Sequence, residues 1–212
     1  MAYGFLDIAA TPSVKAAQAE NGSLELWSKA GANRTFDRFT EAESAFIASR
    51  DSFYMATVSE TGWPYVQHRG GPAGFLKVLD ETTLGFADFS GNRQYISLGN
   101  LKADDRVSLF LMDYPRRARL KIFARAEVRD LASDGDLTER LALPAYNAKV
   151  ERAMLFHLEA FDWNCPQHIT PRFTEAEVSQ AVAPVRMRLA QLEAENEALK
   201  ARLAALKGNG ED

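Results

Sequence analysis

The sequence is poor in the residues that build metal and thiol chemistry. It has one cysteine, Cys165, and three histidines in 212 residues. One cysteine excludes an intrachain disulfide and favours a reducing compartment, so we expect a cytoplasmic protein. Cys165 and His168 lie close together, but two ligands are too few for a zinc site, and His68 and His157 do not extend the spacing. The sequence therefore predicts no metal centre.

Long apolar runs and a strong net charge are also lacking. No run of about 18 apolar residues occurs, and the first residues lack the pattern of a signal peptide, so we expect no membrane-spanning helix. The 25 basic and 29 acidic residues give a net charge of −4. This balance provides no overall attraction to nucleic acid or to an anionic membrane. Hydrophobic residues are 46% and charged residues 25% of the chain, as in ordinary globular proteins.

Three stretches of the chain differ in texture. Residues 1–38 are weakly periodic and rich in Ala, Gly and Asn, and we interpret them as an N-terminal arm of unspecified structure. Residues 39–173 carry the strand and turn signals of a β domain. Residues 174–212 have helical periodicity. A chain of this length fits one domain with an appendage.

Six runs of β-forming residues lie in the central stretch, which predicts a mainly β fold with helices. The runs are 53–58, 65–68, 75–79, 83–88, 107–112 and 120–128. Short strands at this spacing are typical of an antiparallel barrel or sandwich. Thr40 and Glu43 form a capping box at the start of a helix. Two further helices are predicted near 134–143 and 146–160, because apolar residues of the second share one helical face.

A heptad pattern predicts a coiled coil over residues 185–206. Thr174 and Glu177 form a second capping box, and Pro184 suits the first turn of a further helix. With Asn196 at an a position, the other seam residues are Val185, Leu189, Leu192, Leu199, Leu203 and Leu206. Leucines with one buried Asn favour a parallel dimer. The alternative is that each helix folds back onto its own barrel.

Two loops are candidates for ligand binding. In the segment 88–94, Gly91 permits a tight turn, Asn92 and Gln94 supply hydrogen-bond donors, and Arg93 supplies a charged fork for a phosphate. The alternative is a solvated loop with an ion-paired arginine. In the segment 68–71, glycines would let a flat ring approach the backbone, while Arg69 and Lys77 would stabilise negative charge on the ring. The alternative there is a bulge that needs glycine for its own geometry.

Two other segments have plainer interpretations. The basic run from Arg116 to Arg125 is typical of a solvated sheet edge. Nucleic-acid binding is disfavoured there, because the run contains one aromatic residue and so no series of rings for stacking, and because the chain is acidic overall. Residues 163–169 combine Trp, Asn, Cys, Pro, Gln and His. We expect Cys165 to be a small buried residue in a rigid turn and not a catalytic nucleophile.

The order of these motifs resembles that of the FMN-binding split-barrel proteins related to pyridoxamine 5′-phosphate oxidase. The motifs are Arg69-Gly-Gly, Phe75-Leu-Lys-Val, Asp88–Gln94, Asn100, Arg106–Leu109 and Leu120–Ala126. Residues 163–169 are similar to the signature of one branch, the predicted flavin-nucleotide-binding proteins of bacteria. The resemblance covers about residues 40–180. It implies a six-stranded antiparallel split β-barrel homodimer, with two FMN sites at the subunit interface and the coiled-coil helix following the barrel.

The resemblance also implies which residues contact FMN. Asn92 and Arg93 match the pair that holds the phosphate, and only Arg93 is basic here. The remaining expected contacts are Arg69, Lys77 and Gln94, then Arg119, which matches a polar residue reaching the flavin from the partner subunit, and Trp163, Asn164 and Gln167, which lie where the partner covers the ring.

The activity implied is that of an FMN-dependent oxidoreductase that takes a small-molecule substrate or NAD(P)H. His168 is the candidate for delivering a proton. The C-terminus lacks the Arg-x-His pair and the Trp-Arg-Leu-x-Pro motif of true pyridoxamine phosphate oxidases, which argues against that reaction. A non-enzymatic flavin- or haem-binding protein is the second interpretation. An interaction protein that uses the barrel only as a scaffold is the third.

Overall fold

The computed structural model describes residues 4–31, 38–163 and 166–208. The chain forms two compact units, Met1–Ile169 and Thr170–Asp212. Among the residues described, no helix combines the length and the apolarity needed to cross a membrane.

Three short helices form where the sequence specified no structure. They are α1 (Phe5–Ala9), α2 (Pro12–Glu20) and α3 (Leu24–Gly31). The Thr11 side chain accepts a hydrogen bond from the backbone N–H of Val14 and so caps α2. The Phe5 ring stacks on that of Phe123, with the centroids 4.4 Å apart. This stacking anchors the first helix on the outer face of the sheet.

Within the described part of the chain, seven antiparallel strands form one sheet, where the sequence predicted six. The strands are β1 (Ser52–Val58), β2 (Pro64–Gly70), β3 (Lys77–Asp80), β4 (Thr83–Phe89), β5 (Arg106–Asp113), β6 (Ala118–Arg129) and β7 (Val150–Trp163). Their order in the sheet is β2-β1-β5-β6-β7-β4-β3. The six predicted strands match β1 to β6, and β7 is the additional one.

The helix predicted over 146–160 is wrong, because these residues form most of β7. This strand pairs with β6 on one side and β4 on the other. Ala153 to Phe156 are buried consecutively, with Met154 and Phe156 in the main core and Ala153 and Leu155 in a second cluster. A strand that is covered on both faces does not show the alternation of apolar and polar residues that marks a half-exposed strand. Its Ala, Met, Leu and Glu residues also favour helices in isolation.

Phenylalanine rings fill the inside of the curved sheet. Phe53 on β1 lies 5.5 Å from Phe86 on β4 and 6.1 Å from Phe156 on β7, measured between centroids. Strands β1 and β4 stand second and sixth in the strand order, so these contacts require the sheet to curl until its two ends approach. The result is a barrel-like core.

The remaining helices of the first unit cover the ends and sides of the sheet. They are α4 (Glu41–Ala48), α5 (Ile96–Ala103) and α6 (Gly135–Leu141), with a single 3₁₀ turn over Leu131–Ser133. The capping box of Thr40 and Glu43 at the start of α4 is confirmed. The helix predicted over 134–143 is confirmed as α6, and α5 was not predicted.

The second unit consists mainly of one long helix, α7 (Glu175–Gly208). The second predicted capping box is confirmed, since Thr174 N donates to Glu177 Oε2 at 2.7 Å and Glu177 N donates to Thr174 Oγ1 at 3.2 Å. The prediction that a separate helix begins at Pro184 is wrong, because Pro184 lies inside α7. A proline there removes the hydrogen bond to the carbonyl of Gln180, and Gln180 is exposed, so water can replace that bond.

Candidate functional site: a basic cavity at the start of α5

A cavity of about 220 Å³ lies where the segment after β4 meets β2, α5 and β7. Its walls include Gln67 and Arg69 from β2, Asp88 from β4, Asn92 and Arg93 from the following loop, Ser97 from α5, and Glu151 from β7. Three separate parts of the chain therefore meet at one place, namely β2, the continuous segment from β4 to α5, and β7. The predicted phosphate loop supplies one wall, and Arg69 from the second predicted loop supplies another.

A buried carboxylate holds two arginines beside the cavity. Asp88 Oδ1 lies 2.8 Å from Arg69 Nη1, and Asp88 Oδ2 lies 3.7 Å from Arg152 Nε. Burial raises the pKa of Asp88 more than the two guanidinium groups lower it, and the nearby Glu151 also raises it. The ion pair between Arg69 and Asp88 joins β2 to β4, so it closes the barrel at the point where the cavity opens.

One donor at the cavity lacks a partner. The Nε atom of Arg69 is buried and has no hydrogen-bond partner among the described residues. Buried donors are nearly always satisfied in folded proteins, by protein, water or ligand. A guanidinium donor left free in a cavity wall is suited to an anion.

The N-terminus of α5 faces the same cavity. Tyr95 is its N-cap residue and makes no side-chain capping bond, and Tyr95 and Ser97 both line the cavity. Uncapped N–H groups and the positive end of the helix dipole make such a terminus attractive to phosphate. Ser97 is buried, and its hydroxyl donates to Gln67 Oε1 at 2.8 Å.

The loop between β4 and α5 has an unusual backbone. Arg93 and Tyr95 both adopt left-handed conformations, with φ of 62° and 52°, which cost about 1–3 kcal/mol each for residues other than glycine. Arg93 Nε donates to the Tyr95 hydroxyl at 3.3 Å, which in turn donates to Glu151 Oε1 at 3.2 Å. Strained backbone of this kind concentrates at ligand sites. The exposed Arg93 side chain is thus held by contacts that a ligand can replace.

Charge at the cavity is mixed. In its walls, Arg69 and Arg93 balance Asp88 and Glu151, and Arg152, which lies beside the cavity against Asp88, adds a third positive group. A hydrogen bond from Ser90 holds the pKa of Glu151 below its usual value, together with bonds and charges from Tyr95, Arg152 and Arg93 that outweigh its partial burial. Glu151 therefore stays ionised and pairs with Arg152, while Asp88 pairs with Arg69 Nη1. The donors that remain for a ligand are those of the exposed Arg93 and the Nε atom of Arg69.

A family model decides the relationship of this chain to known proteins. The model for pyridoxamine 5′-phosphate oxidase matches residues 39–162, which is more than half of the chain. The chain belongs to the pyridoxamine 5′-phosphate oxidase family. The match includes all seven strands but for the last residue of β7, and it includes every residue that lines the cavity. No curated protein matches the chain.

Several solved structures resemble the chain at low sequence identity. A pyridoxamine 5′-phosphate oxidase-like protein of Lactobacillus delbrueckii is 23% identical, with a TM-score of 0.46, over 62% of this chain and 97% of that one. An FMN-binding protein of Syntrophomonas wolfei is 15% identical, with a TM-score of 0.42, over 70% and 96% of the two chains. HupZ of Group A Streptococcus is 14% identical, with a TM-score of 0.45, over 64% and 99%.

Several residues predicted to bind the family's cofactor lie away from the cavity. Lys77 begins β3, and Arg119 lies on β6 with its buried Nε unpartnered among the described residues. Trp163 donates its indole N–H to Glu43 Oε1 at 2.7 Å. Gln167 and His168 form an exposed turn after β7. Asn164 and Cys165 lie outside the described residues, and the roles of all these residues stay predictions.

Sequence reasoning missed four polar residues of the cavity. They are Gln67, Tyr95, Ser97 and Glu151. Tyr95 and Ser97 directly follow the predicted loop, and recognising a helix start at residue 96 would have included them. Gln67 and Glu151 gave no signal, because their position depends on how β2 and β7 meet the loop. Gln94, which was predicted, instead bonds to its neighbour, with Gln94 N donating to Asn92 Oδ1 at 3.2 Å.

Ion pairs occupy most of the basic run on β6. Lys121 Nζ lies 3.0 Å from Asp162, and Arg125 contacts Asp105 at 2.8 Å and Glu159 at 2.9 Å. Arg116 in the preceding turn lies 3.6 Å from Asp113. These contacts lie on a partly exposed face of β6. The prediction of a sheet edge is wrong, because β6 pairs with β5 on one side and with β7 on the other. In the parts of the chain that the structure describes, no group of three His, Cys, Asp or Glu side chains could hold a metal ion.

Proposed function

We propose that the protein binds FMN, with the terminal phosphate in the cavity at the start of α5, and that it works as an FMN-dependent oxidoreductase in a homodimer. The observation that carries this proposal is the convergence of the unpartnered Arg69 Nε, the exposed Arg93 and the uncapped start of α5 on one cavity. Membership of the pyridoxamine 5′-phosphate oxidase family supports FMN as the ligand.

The size of the cavity supports binding of one end of the ligand. Pockets that enclose a whole drug-sized ligand have volumes of about 300–1,000 Å³, whereas this one is about 220 Å³. It suits a phosphate group with the adjoining part of its chain. The flavin ring would then lie outside the cavity, where a second subunit can cover it.

An apolar outer surface on the sheet supports the homodimer. On β1, Tyr54 and Val58 point away from the core and are exposed, and Val66 on the paired strand β2 is 60% exposed. On β6, Arg119 alternates with the buried Leu120 and so belongs to the outer surface. An apolar sheet face with an unpartnered guanidinium donor fits a surface that a second subunit and a ligand complete.

Residues of this chain would bind and orient the cofactor. FMN, when bound, supplies hydride or electron transfer. Arg69 and Arg93 would hold the phosphate by charge-assisted hydrogen bonds. We propose that Arg119 stabilises negative charge on the ring from the partner subunit, and that His168 is the proton donor. NAD(P)H or a small-molecule substrate would provide the electrons.

Loss of Arg93 tests the phosphate site. We expect Arg93→Ala to weaken FMN binding about 10- to 150-fold, which corresponds to the roughly 1.5–3 kcal/mol of a charge-assisted hydrogen bond. Isothermal titration with FMN and with riboflavin measures this, since riboflavin lacks the phosphate and should bind wild type and variant equally. Arg116→Ala is the matched control, because Arg116 is exposed and does not line the cavity.

Three results would contradict parts of the proposal. Equal FMN affinity for wild type and Arg93→Ala would show that the phosphate binds elsewhere. If the purified protein shows haem absorbance and no flavin absorbance, the ligand is haem and not FMN. Flavin binding without any NAD(P)H-dependent reduction of an acceptor would leave a non-enzymatic flavin carrier.

A further inference from the structure

An apolar seam runs along almost the whole of α7. Because the helix is continuous through Pro184, the heptad pattern extends back beyond Val185 to Val182 and Val178. The seam consists of Val182, Leu189, Asn196 and Leu203 at a positions, and Val178, Val185, Leu192, Leu199 and Leu206 at d positions. All its leucines, together with Val178 and Val185, are between 44% and 72% exposed. Most of the stability of helices in proteins comes from packing of an apolar face against another surface. We therefore expect a partner to pack along this seam.

We propose that α7 pairs with α7 of a second copy of this chain, as a parallel, in-register, two-stranded coiled coil from Val178 to Leu206. The residues of this seam differ from those proposed to bind FMN. The 34-residue helix is about 51 Å long at 1.5 Å per residue. It therefore provides more than four heptads, where about three are the practical minimum for a heptad pattern to indicate a coiled coil.

Asn196, the single polar residue of the seam, favours parallel pairing with α7 of a second copy. In a parallel in-register pair, a positions face a positions, so Asn196 meets Asn196 and the two amides bond to each other. In an antiparallel pair, a positions face d positions, and Asn196 would face an apolar side chain. A buried amide without a partner is unfavourable. The register and the orientation therefore both follow from Asn196.

Charges beside the seam agree with this arrangement. Across a parallel pair, Arg188 at g faces Glu193 at e of the second copy, and Glu195 at g faces Lys200. Within the single helix Arg188 lies 3.9 Å from Glu195, an exposed pair of little strength. Both side chains are therefore available for the pairs between helices.

Pro184 does not interrupt the seam. It occupies a c position, two residues after Val182, and therefore points away from the partner helix. Proline is tolerated in a helix when water or a neighbour satisfies the freed carbonyl. The valines on either side of it can pack across the interface.

Disulfide trapping in the full-length protein tests the pairing. With Cys165→Ser as background, Leu199→Cys places thiols face to face at a d position, and Ala201→Cys places them at an f position on the opposite side. We expect Leu199→Cys to form covalent dimers under mild oxidation about tenfold faster than Ala201→Cys, because a disulfide requires Cβ atoms about 4 Å apart. Non-reducing electrophoresis measures both rates.

The opposite results would overturn the proposal. A monomeric Leu199→Cys would show that the helix packs on its own chain, and equal rates for the two variants would show random collision. A second variant covers a folding failure of the first. Asn196→Leu should lose the restriction to two strands and form larger assemblies in sedimentation, and an unchanged assembly and unchanged melting of Asn196→Leu would also refute the pairing.

Discussion

Glu43 is a buried carboxylate that joins the start of α4 to the end of β7. It is 6% exposed, and it accepts hydrogen bonds from Thr40 N at 3.0 Å, from the Thr40 hydroxyl, and from Trp163 Nε1 at 2.7 Å. Burial alone raises the pKa of Glu43, but the bonds from Thr40 and Trp163 outweigh it and lower the pKa. The ionised form is therefore the one that stabilises the fold.

Replacing this carboxylate tests that conclusion. We expect Glu43→Gln to lower the free energy of unfolding by about 1–3 kcal/mol at pH 7, because hydrogen bonds to a charged acceptor are lost. The pKa of Glu43 is lower in the folded protein than in the unfolded chain. Its contribution to stability is therefore fully present above the unfolded pKa and is lost as the pH falls through the folded pKa. The difference between wild type and variant should therefore shrink in acid.

Urea unfolding between pH 7 and pH 3 measures this difference. Glu60→Gln, in an exposed turn, is the control and should change stability by less than about 0.5 kcal/mol. A difference that stays constant over this pH range would mean that the charge of Glu43 is not what stabilises the fold. The capping box was readable from the sequence, whereas its bond to Trp163, 120 residues away, was not.

Among the elements, β4 packs so closely at Gly85 that an added side chain would require neighbouring leucine side chains to move. A Cβ atom there would lie 2.8 Å from Leu79 Cδ1 and 2.9 Å from Leu155 Cδ2. We expect Gly85→Ala to destabilise the protein by about 1–3 kcal/mol, as overpacking does in other cores. Thermal or urea unfolding measures the loss.

Gly99 provides the matched comparison in a helix. It lies in α5, and nothing lies within 4 Å of an added Cβ. We expect Gly99→Ala to stabilise the protein by about 0.5–1 kcal/mol, because alanine loses less backbone entropy in a helix. Equal effects of the two substitutions would refute the close packing of β4.

The elements that sequence reasoning found and missed differ in their exposure. Strands β1 and β5 have one face buried and one partly exposed, so alternation reveals them. Strand β7 is covered on both faces, and its composition suits a helix, so only its pairing with β4 and β6 decides its form. The cavity shows the same division. Its loop was readable from Gly91 to Arg93, whereas Gln67 and Glu151 reach it only through the register of the sheet.

For the whole molecule, the proposed coiled coil should strengthen FMN binding at a distance. If FMN lies between two barrels, linking the chains through α7 raises the effective concentration of one barrel at the other. We expect Leu199→Asp, which places charges in the seam, to lose FMN at protein concentrations at least about tenfold higher than wild type does. Flavin fluorescence during serial dilution measures this.

Ala201→Asp is the control for that experiment. Ala201 lies on the same helix but at the outward f position, so its dilution curve should match that of wild type. If Leu199→Asp and wild type release FMN over the same concentration range, the two surfaces act independently. Such a result would leave the coiled coil without influence on the cofactor.

The position of β7 also determines when the sheet can be completed during synthesis on the ribosome. Strand β4 pairs only with β3 and β7, so the β3–β4 hairpin has no connection to the rest of the sheet until β7 is made. Residues 150–163 emerge after all the other strands. Until then the free edges of β4 and β6 are exposed together, which is the situation in which nascent chains associate wrongly. The edges of β4 and β6 are therefore free together while residues 130–163 are made, and chaperone binding to the nascent chain should concentrate in that interval.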